Sequence, residues 1–166
     1  GLSLTGELSK PESLYKGICV LCHPHPLYGG NMYTPLIEAF WEHLPKHGFL
    51  TFRFNFRGVG TSEGHYEEGI GEIQDIMGAV TFLAHQGYES TPFFLIGYSF
   101  GAYVIHRLNS LPAYIKGLCL VSPPVSMTSF DFSAAFPLPH LILAGDTDPY
   151  CNLSTLRSKL KDMDKK

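Results

Sequence analysis

Five short apolar runs recur along the chain: 17–22 (GICVLC), 49–54 (FLTFRF), 92–96 (PFFLI), 117–122 (GLCLVS) and 140–144 (HLILA). A strand with one face in water alternates apolar and polar residues, whereas a strand covered on both faces need not. Between these runs the apolar residues return at helical spacing. Leu36, Ile37, Phe40, Trp41 and Leu44 share one face of a helix predicted over 33–47, with Thr34 as its N-cap and Pro35 in its first turn. Ile70, Ile73, Met77, Val80 and Ala84 do the same in the next interval, and Gly87 is placed to end that helix. Stretches 100–108 and 153–160 read as two more helices. Strands alternating with helices build an α/β fold, a mostly parallel sheet flanked by helices. At 166 residues the chain is long enough for one such domain, 1–166.

Composition narrows the function classes. Charged residues make up 16% of the chain, against roughly 25% in an average soluble domain. The net charge is −3 and no run of Lys or Arg suits a phosphate backbone, so nucleic acid is not an expected partner. No apolar run approaches the ~18 residues of a membrane-spanning helix, and no signal-peptide pattern is present. Cys19 and Cys22 form a C-x-x-C inside a predicted strand, where buried thiols are expected rather than a metal or redox pair. This cysteine usage suggests a reducing, cytoplasmic setting.

In parallel sheets, function gathers at the carboxyl ends of the strands. After 92–96 comes Gly97-Tyr98-Ser99-Phe100-Gly101, a G-x-S-x-G between a strand and a helix. Such a turn lifts the serine oxygen above the sheet at a helix start, and the Phe100 N–H then faces the same space as an oxyanion donor. After 17–22 comes His23-Pro24-His25-Pro26-Leu27-Tyr28-Gly29-Gly30. Its prolines cannot donate, which leaves the N–H groups of His25, Leu27 and Tyr28 as candidates for a second oxyanion donor, with Leu27 preferred. His25, Tyr28 and Tyr98 are the candidate substrate contacts. His23 suits a structural role, hydrogen-bonded to buried backbone. Metal binding by the H-x-H is not expected. The glycine-rich loop 55–64 lacks the G-K-[ST] ending of a phosphate loop and reads as an edge of the site. After 140–144 comes Gly145-Asp146-Thr147-Asp148, where an acid can orient an imidazole, and Asp148 is preferred over Asp146.

The pieces HPHPLYGGNM, RFNFRGVGTSEG, GYSFGA and GDTD together resemble the α/β-hydrolase superfamily. More narrowly, they resemble its small HPHP-type serine hydrolases, related to the dienelactone hydrolase branch. The resemblance implies a serine hydrolase acting on a small-molecule ester, thioester or amide, with no metal or organic cofactor. By position, Ser99 would be the nucleophile, Asp148 the acid, and Phe100 and Leu27 the oxyanion donors.

Two departures from the pattern shape what to expect. Only one strand fits before 17–22, within 2–8. In the family the catalytic histidine follows the acid, after a final strand. Here none of the eight histidines follows Asp148, and 152–166 reads as a helix. The fold is therefore expected to be incomplete, with its final strand and histidine loop outside this chain. The alternatives are a non-catalytic binding protein of the same fold, or a stand-in base at His25 or His65. The interval 123–139 is too short for a lid domain. An open site edged by Phe130, Phe132 and Phe136 is expected.

Overall fold

The computed structural model describes residues 1–12, 15–128, 130, 132 and 138–161. Among these residues, six strands form one sheet: β1 (Gly6–Ser9), β2 (Gly17–Cys22), β3 (Phe49–Phe54), β4 (Phe93–Tyr98), β5 (Ile115–Val121) and β6 (His140–Leu143). Their order is β1-β3-β2-β4-β5-β6, with β1 antiparallel to β3 and every other pair parallel. All six β2 residues are buried, as a continuous apolar run requires.

Among the described residues, four α-helices flank the sheet: α1 (Pro35–His43), α2 (Gly71–Leu83), α3 (Phe100–His106) and α4 (Leu153–Lys161). α1 is shorter than the predicted 33–47. Pro45 cannot continue its hydrogen bonding, so the chain tightens into a 3-10 turn at Pro45–His47 and leaves through Gly48 at φ +89°. α2 runs on through a wider turn, Ala84–Tyr88, in which Gly87 adopts φ +92°. α4 is capped by Asn152, whose side-chain oxygen accepts the N–H groups of Ser154 and Thr155.

Side-chain alternation along the strands splits the core in two. On one face Ile18, Val20, Leu50, Phe54, Phe93 and Leu95 pack with Ile76, Val80 and Leu83 of α2 and with Ala102, Val104 and Ile105 of α3. On the other, Cys19, Leu21 and Ile96 pack under Ile37, Phe40 and Trp41 of α1. Cys19 and Cys22 therefore point to opposite faces and cannot converge on one ion. Both are buried free thiols, and burial pushes the Cys19 pKa up to about 12. At the edge strand β6, Leu141 and Leu143 remain exposed.

The strand order places the site. From β2 the chain steps outward to β3, then crosses back to lay β4 on the other side of β2. The loops leaving β2 and β4 diverge there, and that switch point is where doubly wound sheets open a crevice. Among the described residues, no helix is long and apolar enough to cross a membrane.

Candidate active site

Ser99 follows β4 directly and precedes the first residue of α3. Its backbone is left-handed, φ 52° and ψ −107°, a conformation costly for a residue with a Cβ. The surrounding structure holds it there. The Ser99 N–H donates to the Val121 carbonyl at 2.8 Å, and the Ser99 carbonyl accepts from Tyr103 N–H at 3.0 Å. The two glycines of the motif make the turn possible. A Cβ on Gly97 would lie 2.5 Å from the Ala102 nitrogen, and one on Gly101 would overlap the Cys22 carbonyl. As the first residue of α3, Phe100 has an N–H with no helical carbonyl to bond, so it is free for a ligand.

Ser99 opens into a cavity of about 610 Å³. Ser99, Phe100, His25, Tyr28 and Tyr98 all line it, so five of the seven residues singled out from sequence meet in one place. The remaining two, Leu27 and Asp148, do not line it. Leu27 lies in a neighbouring hollow beside Asn31 and Gly58, and its N–H donates to His25 Nδ1 at 3.2 Å. The Tyr28 N–H is also engaged, by the His25 carbonyl at 3.1 Å. Of the three candidate second donors, His25 is left: among the described residues nothing accepts its N–H. Asp148 lies on the loop after β6. Its Oδ1 accepts from Tyr150 N–H at 2.8 Å and Cys151 N–H at 3.1 Å, which fixes the carboxylate two residues from Tyr150, a lining residue.

The two histidines of the β2 loop do different work. His23 is fully buried: its Nδ1–H donates to the Pro24 carbonyl at 2.6 Å, and its Nε2 accepts the Phe56 N–H at 3.1 Å. Burial pushes its pKa down to about 4, so the ring is a neutral strut between the loops after β2 and β3. His25 has the opposite tautomer. Because Leu27 N–H donates to Nδ1, the ring proton is on Nε2 and donates to the Tyr66 hydroxyl, 3.0 Å away. Burial lowers its pKa, opposed by the charge of Glu72. His25 is the cavity's one histidine among the described residues, and both its nitrogens are engaged. His65, the other stand-in considered, borders the neighbouring hollow with its side chain largely in water.

Several lining residues carry no motif: Tyr66, Glu68, Tyr103, Met127 and Tyr150. Tyr103 could have been found as the residue one helical turn after Ser99, and Tyr150 as a neighbour of the acid loop. Tyr66 and Glu68 are brought in by a buried ionic network below the glycine-rich loop. Arg57 pairs with Asp75 at 2.8 Å and with Glu67 at 2.7 Å. Glu72 accepts the N–H groups of Glu67 and Gly69 at 2.9 and 2.8 Å. The loop 55–64, expected at the edge of the site, lines the neighbouring hollow through Asn55, Gly58, Val59, Gly60 and Gly64 and contributes no residue to the lining of the Ser99 cavity. The phenylalanines expected at the rim are a correction. Phe130 and Phe132 are buried against Tyr103 and His106, and Phe136 lies outside the described residues. Pro124, Met127 and Thr128 form that side of the cavity instead. Among the described residues, no group of three or more His, Cys, Asp or Glu could hold a metal.

The sequence model of the serine aminopeptidases, S33, matches residues 15–135. An uncharacterised protein of Rickettsia prowazekii is 34% identical over 148 residues, 87% of this chain. The chain spans 62% of that relative's length. Among solved structures, an α/β-hydrolase candidate from Agrobacterium tumefaciens superposes with a TM-score of 0.88 at 29% identity, over 98% of this chain and 75% of its own. An α/β serine hydrolase homologue from Coxiella burnetii gives 0.86 at 29%, over 98% and 82%. A lidless α/β serine hydrolase from Xanthomonas campestris gives 0.85 at 27%, over 96% and 73%. The narrower tie to the dienelactone hydrolases rests on the HPHP resemblance alone. The match over 15–135, the parallel sheet and the strained serine after β4 agree, and the chain belongs to the serine aminopeptidase S33 family of the α/β-hydrolase superfamily.

Proposed function

We propose that this chain carries the nucleophile, acid and oxyanion hole of a serine hydrolase that cleaves a small ester, thioester or amide through an acyl-enzyme. The strained backbone of Ser99, facing an aromatic cavity at the switch point, carries the reading. Ser99 Oγ attacks the acyl carbon and the carbonyl oxygen becomes an oxyanion. The Phe100 N–H receives it together with the N–H of His25, which takes the place first given to Leu27 because the Leu27 N–H is already spent. Collapse expels the alcohol, thiol or amine, and water releases the acid. Asp148 is the acid that aligns an imidazole, which takes the Ser99 proton during attack and passes it to the leaving group; within residues 1–166 no histidine follows Asp148. The reaction draws on no metal or organic cofactor.

A second reading is a non-catalytic binding protein of the same fold, favoured by His25 having both ring nitrogens engaged. A hydroxyl without a base is a poor nucleophile. The test is fluorophosphonate labelling read by intact mass, with and without free imidazole, with Ser99→Ala as control. The hydrolase reading expects a slow adduct that imidazole accelerates and the control abolishes. No adduct on folded protein under either condition overturns it in favour of the binding reading.

A further inference from the structure

The hollow beside the Ser99 cavity has a volume of about 630 Å³ and lies between the loops after β2 and β3. Gly29, Gly30 and Tyr66 line both spaces, so the one continues into the other. Asn55, the first residue after β3, also lines the hollow, yet it is only 5% exposed. Its backbone N–H donates to the Thr5 carbonyl at 2.9 Å, and its carbonyl accepts from the Ser62 hydroxyl at 2.9 Å. Its side-chain Oδ1 accepts from Met32 N–H at 2.9 Å. That bond settles which end of the amide is which: the oxygen faces Met32, and Nδ2 faces Gly60. Among the described residues nothing accepts from Nδ2. Yet no fully buried side-chain nitrogen or oxygen among them lacks a partner. Nδ2 therefore reaches solvent, and it does so where Asn55 borders the hollow. Gly60 keeps the approach open, because a Cβ there would lie 2.9 Å from Nδ2.

A primary amide nitrogen offers donors alone, so its partner must present a lone pair. The residues lining the hollow include no Asp, Glu, Lys or Arg. His65 lines it too, but its side chain is largely in water, with Nε2 3.7 Å from Glu67. A carboxylate or phosphate would enter without a buried countercharge, whereas an uncharged carbonyl needs only a donor. Two other polar side chains of the lining turn back to the protein. Asn31 Nδ2 donates to the Gly29 carbonyl at 3.1 Å, and the Tyr33 hydroxyl donates to Glu7 at 2.8 Å. Pro26, Leu27 and Val59 add apolar wall, and the Tyr33 and Tyr66 rings add aromatic wall. The hollow thus offers one seated donor in largely apolar, uncharged surroundings.

We infer that the hollow is a second subsite, in which Asn55 Nδ2 donates to an uncharged ester, amide or ketone carbonyl on an apolar part of the substrate that reaches past Tyr66 from the Ser99 cavity. The inference rests on that cavity being the substrate site of the proposed hydrolase. It gives the loop after β3, which supplies no residue to the cavity itself, a part in choosing the substrate. Filling the hollow needs neither Ser99 nor a base.

Binding is therefore the test, which keeps its failure separate from failure of Ser99 labelling. Acetophenone and α-methylstyrene, which has CH2 in place of the carbonyl oxygen, are titrated into the intact chain and followed by nitrogen NMR. Acetophenone is expected to bind about fivefold more tightly, as one neutral hydrogen bond allows. It is expected to shift the side-chain amide pair of Asn55 and the N–H signals of Gly58 and Gly60. Asn55→Asp keeps an acceptor for Met32 and removes the donor, and is expected to abolish the preference. Gly60→Ala leaves Asn55 in place and sets a methyl against Nδ2. It is expected to abolish the preference as well, which decides the matter should Asn55→Asp fail to fold. Equal affinity for the two probes, no binding of acetophenone, shifts confined to Ser99 and Phe100, or a preference that survives in either folded variant overturns the inference.

Discussion

The Leu27 amide donates to Nδ1 of His25 at 3.2 Å, and this single bond decides what two candidate site residues can do. It removes the Leu27 N–H from the oxyanion hole. It also forces the His25 proton onto Nε2, where the Tyr66 hydroxyl takes it. The expected result at neutral pH is a neutral His25 ring with a pyrrole-type Nε2 and a pyridine-type Nδ1. Nitrogen NMR chemical shifts read this directly. The reverse tautomer would free Nε2 and return His25 to the list of possible bases.

The turn that carries Ser99 is expected to be intolerant of any added carbon. In Gly101→Ala the new methyl would overlap the Cys22 carbonyl, a backbone atom at the end of central strand β2. The expected loss is about 3 kcal/mol or more, because two buried main-chain segments must part. For a domain of this size that is a fall of roughly 6–12 °C in Tm. A change of a degree or less in thermal unfolding would show that the close approach is not real.

The ion pair below the glycine-rich loop is buried on both sides, so it is costly to break and cheap to replace. Asp75→Ala removes the buried partner of the Arg57 guanidinium and leaves it only the half-exposed Glu67 carboxylate, and is expected to cost about 3 kcal/mol. A paired change, Arg57→Met with Asp75→Leu, is expected to recover much of that loss in urea unfolding. Because Arg57 also holds Glu67, both variants should weaken the seating of Tyr66 and Glu68. Amide exchange at 65–70 would show this as faster exchange even where the fold survives.

Stability should fall on mild acidification, and His23 sets the window. Its folded pKa is about 4, below the ordinary value near 6.5, so the unfolded chain binds the proton more readily. The contribution is fully present above about pH 6.5 and is lost as the pH falls toward 4, reaching about 3 kcal/mol. His25, lowered in the same direction, adds to the slope. Urea unfolding between pH 7 and 4.5 checks the sign. An NMR titration in which the His23 ring protonates near pH 6.5 in the folded protein would contradict the assignment.

Much of the site was readable along the chain because its chemistry is local. Continuous apolar runs mark strands covered on both faces, and β2 is buried throughout as that rule requires. G-x-S-x-G after such a run dictates a tight turn, since both flanking glycines approach backbone more closely than a Cβ allows. Proline has no N–H to give, so the sequence of the β2 loop left three candidate donors, His25, Leu27 and Tyr28. Choosing among those three needed the position of the His25 ring relative to the Leu27 amide, a side-chain rotation that no spacing encodes.

The same division explains Phe130, Phe132, Tyr66 and Glu68. The phenylalanines were recognisable as apolar residues on a loop, yet whether they face the cavity or the back of α3 depends on where that loop docks. They stack on His106 and Tyr103 and are buried. Tyr66 and Glu68 stand more than thirty residues before Ser99. They reach its cavity because β3 lies on one side of β2 and β4 on the other, and because Arg57 and Glu72 pin segment 65–70 across the resulting crevice. Periodicity and turn chemistry act within a few residues, so they were written in the order of amino acids. Strand order and buried ion pairs join residues tens of positions apart, and they exist only once the sheet has closed around β2.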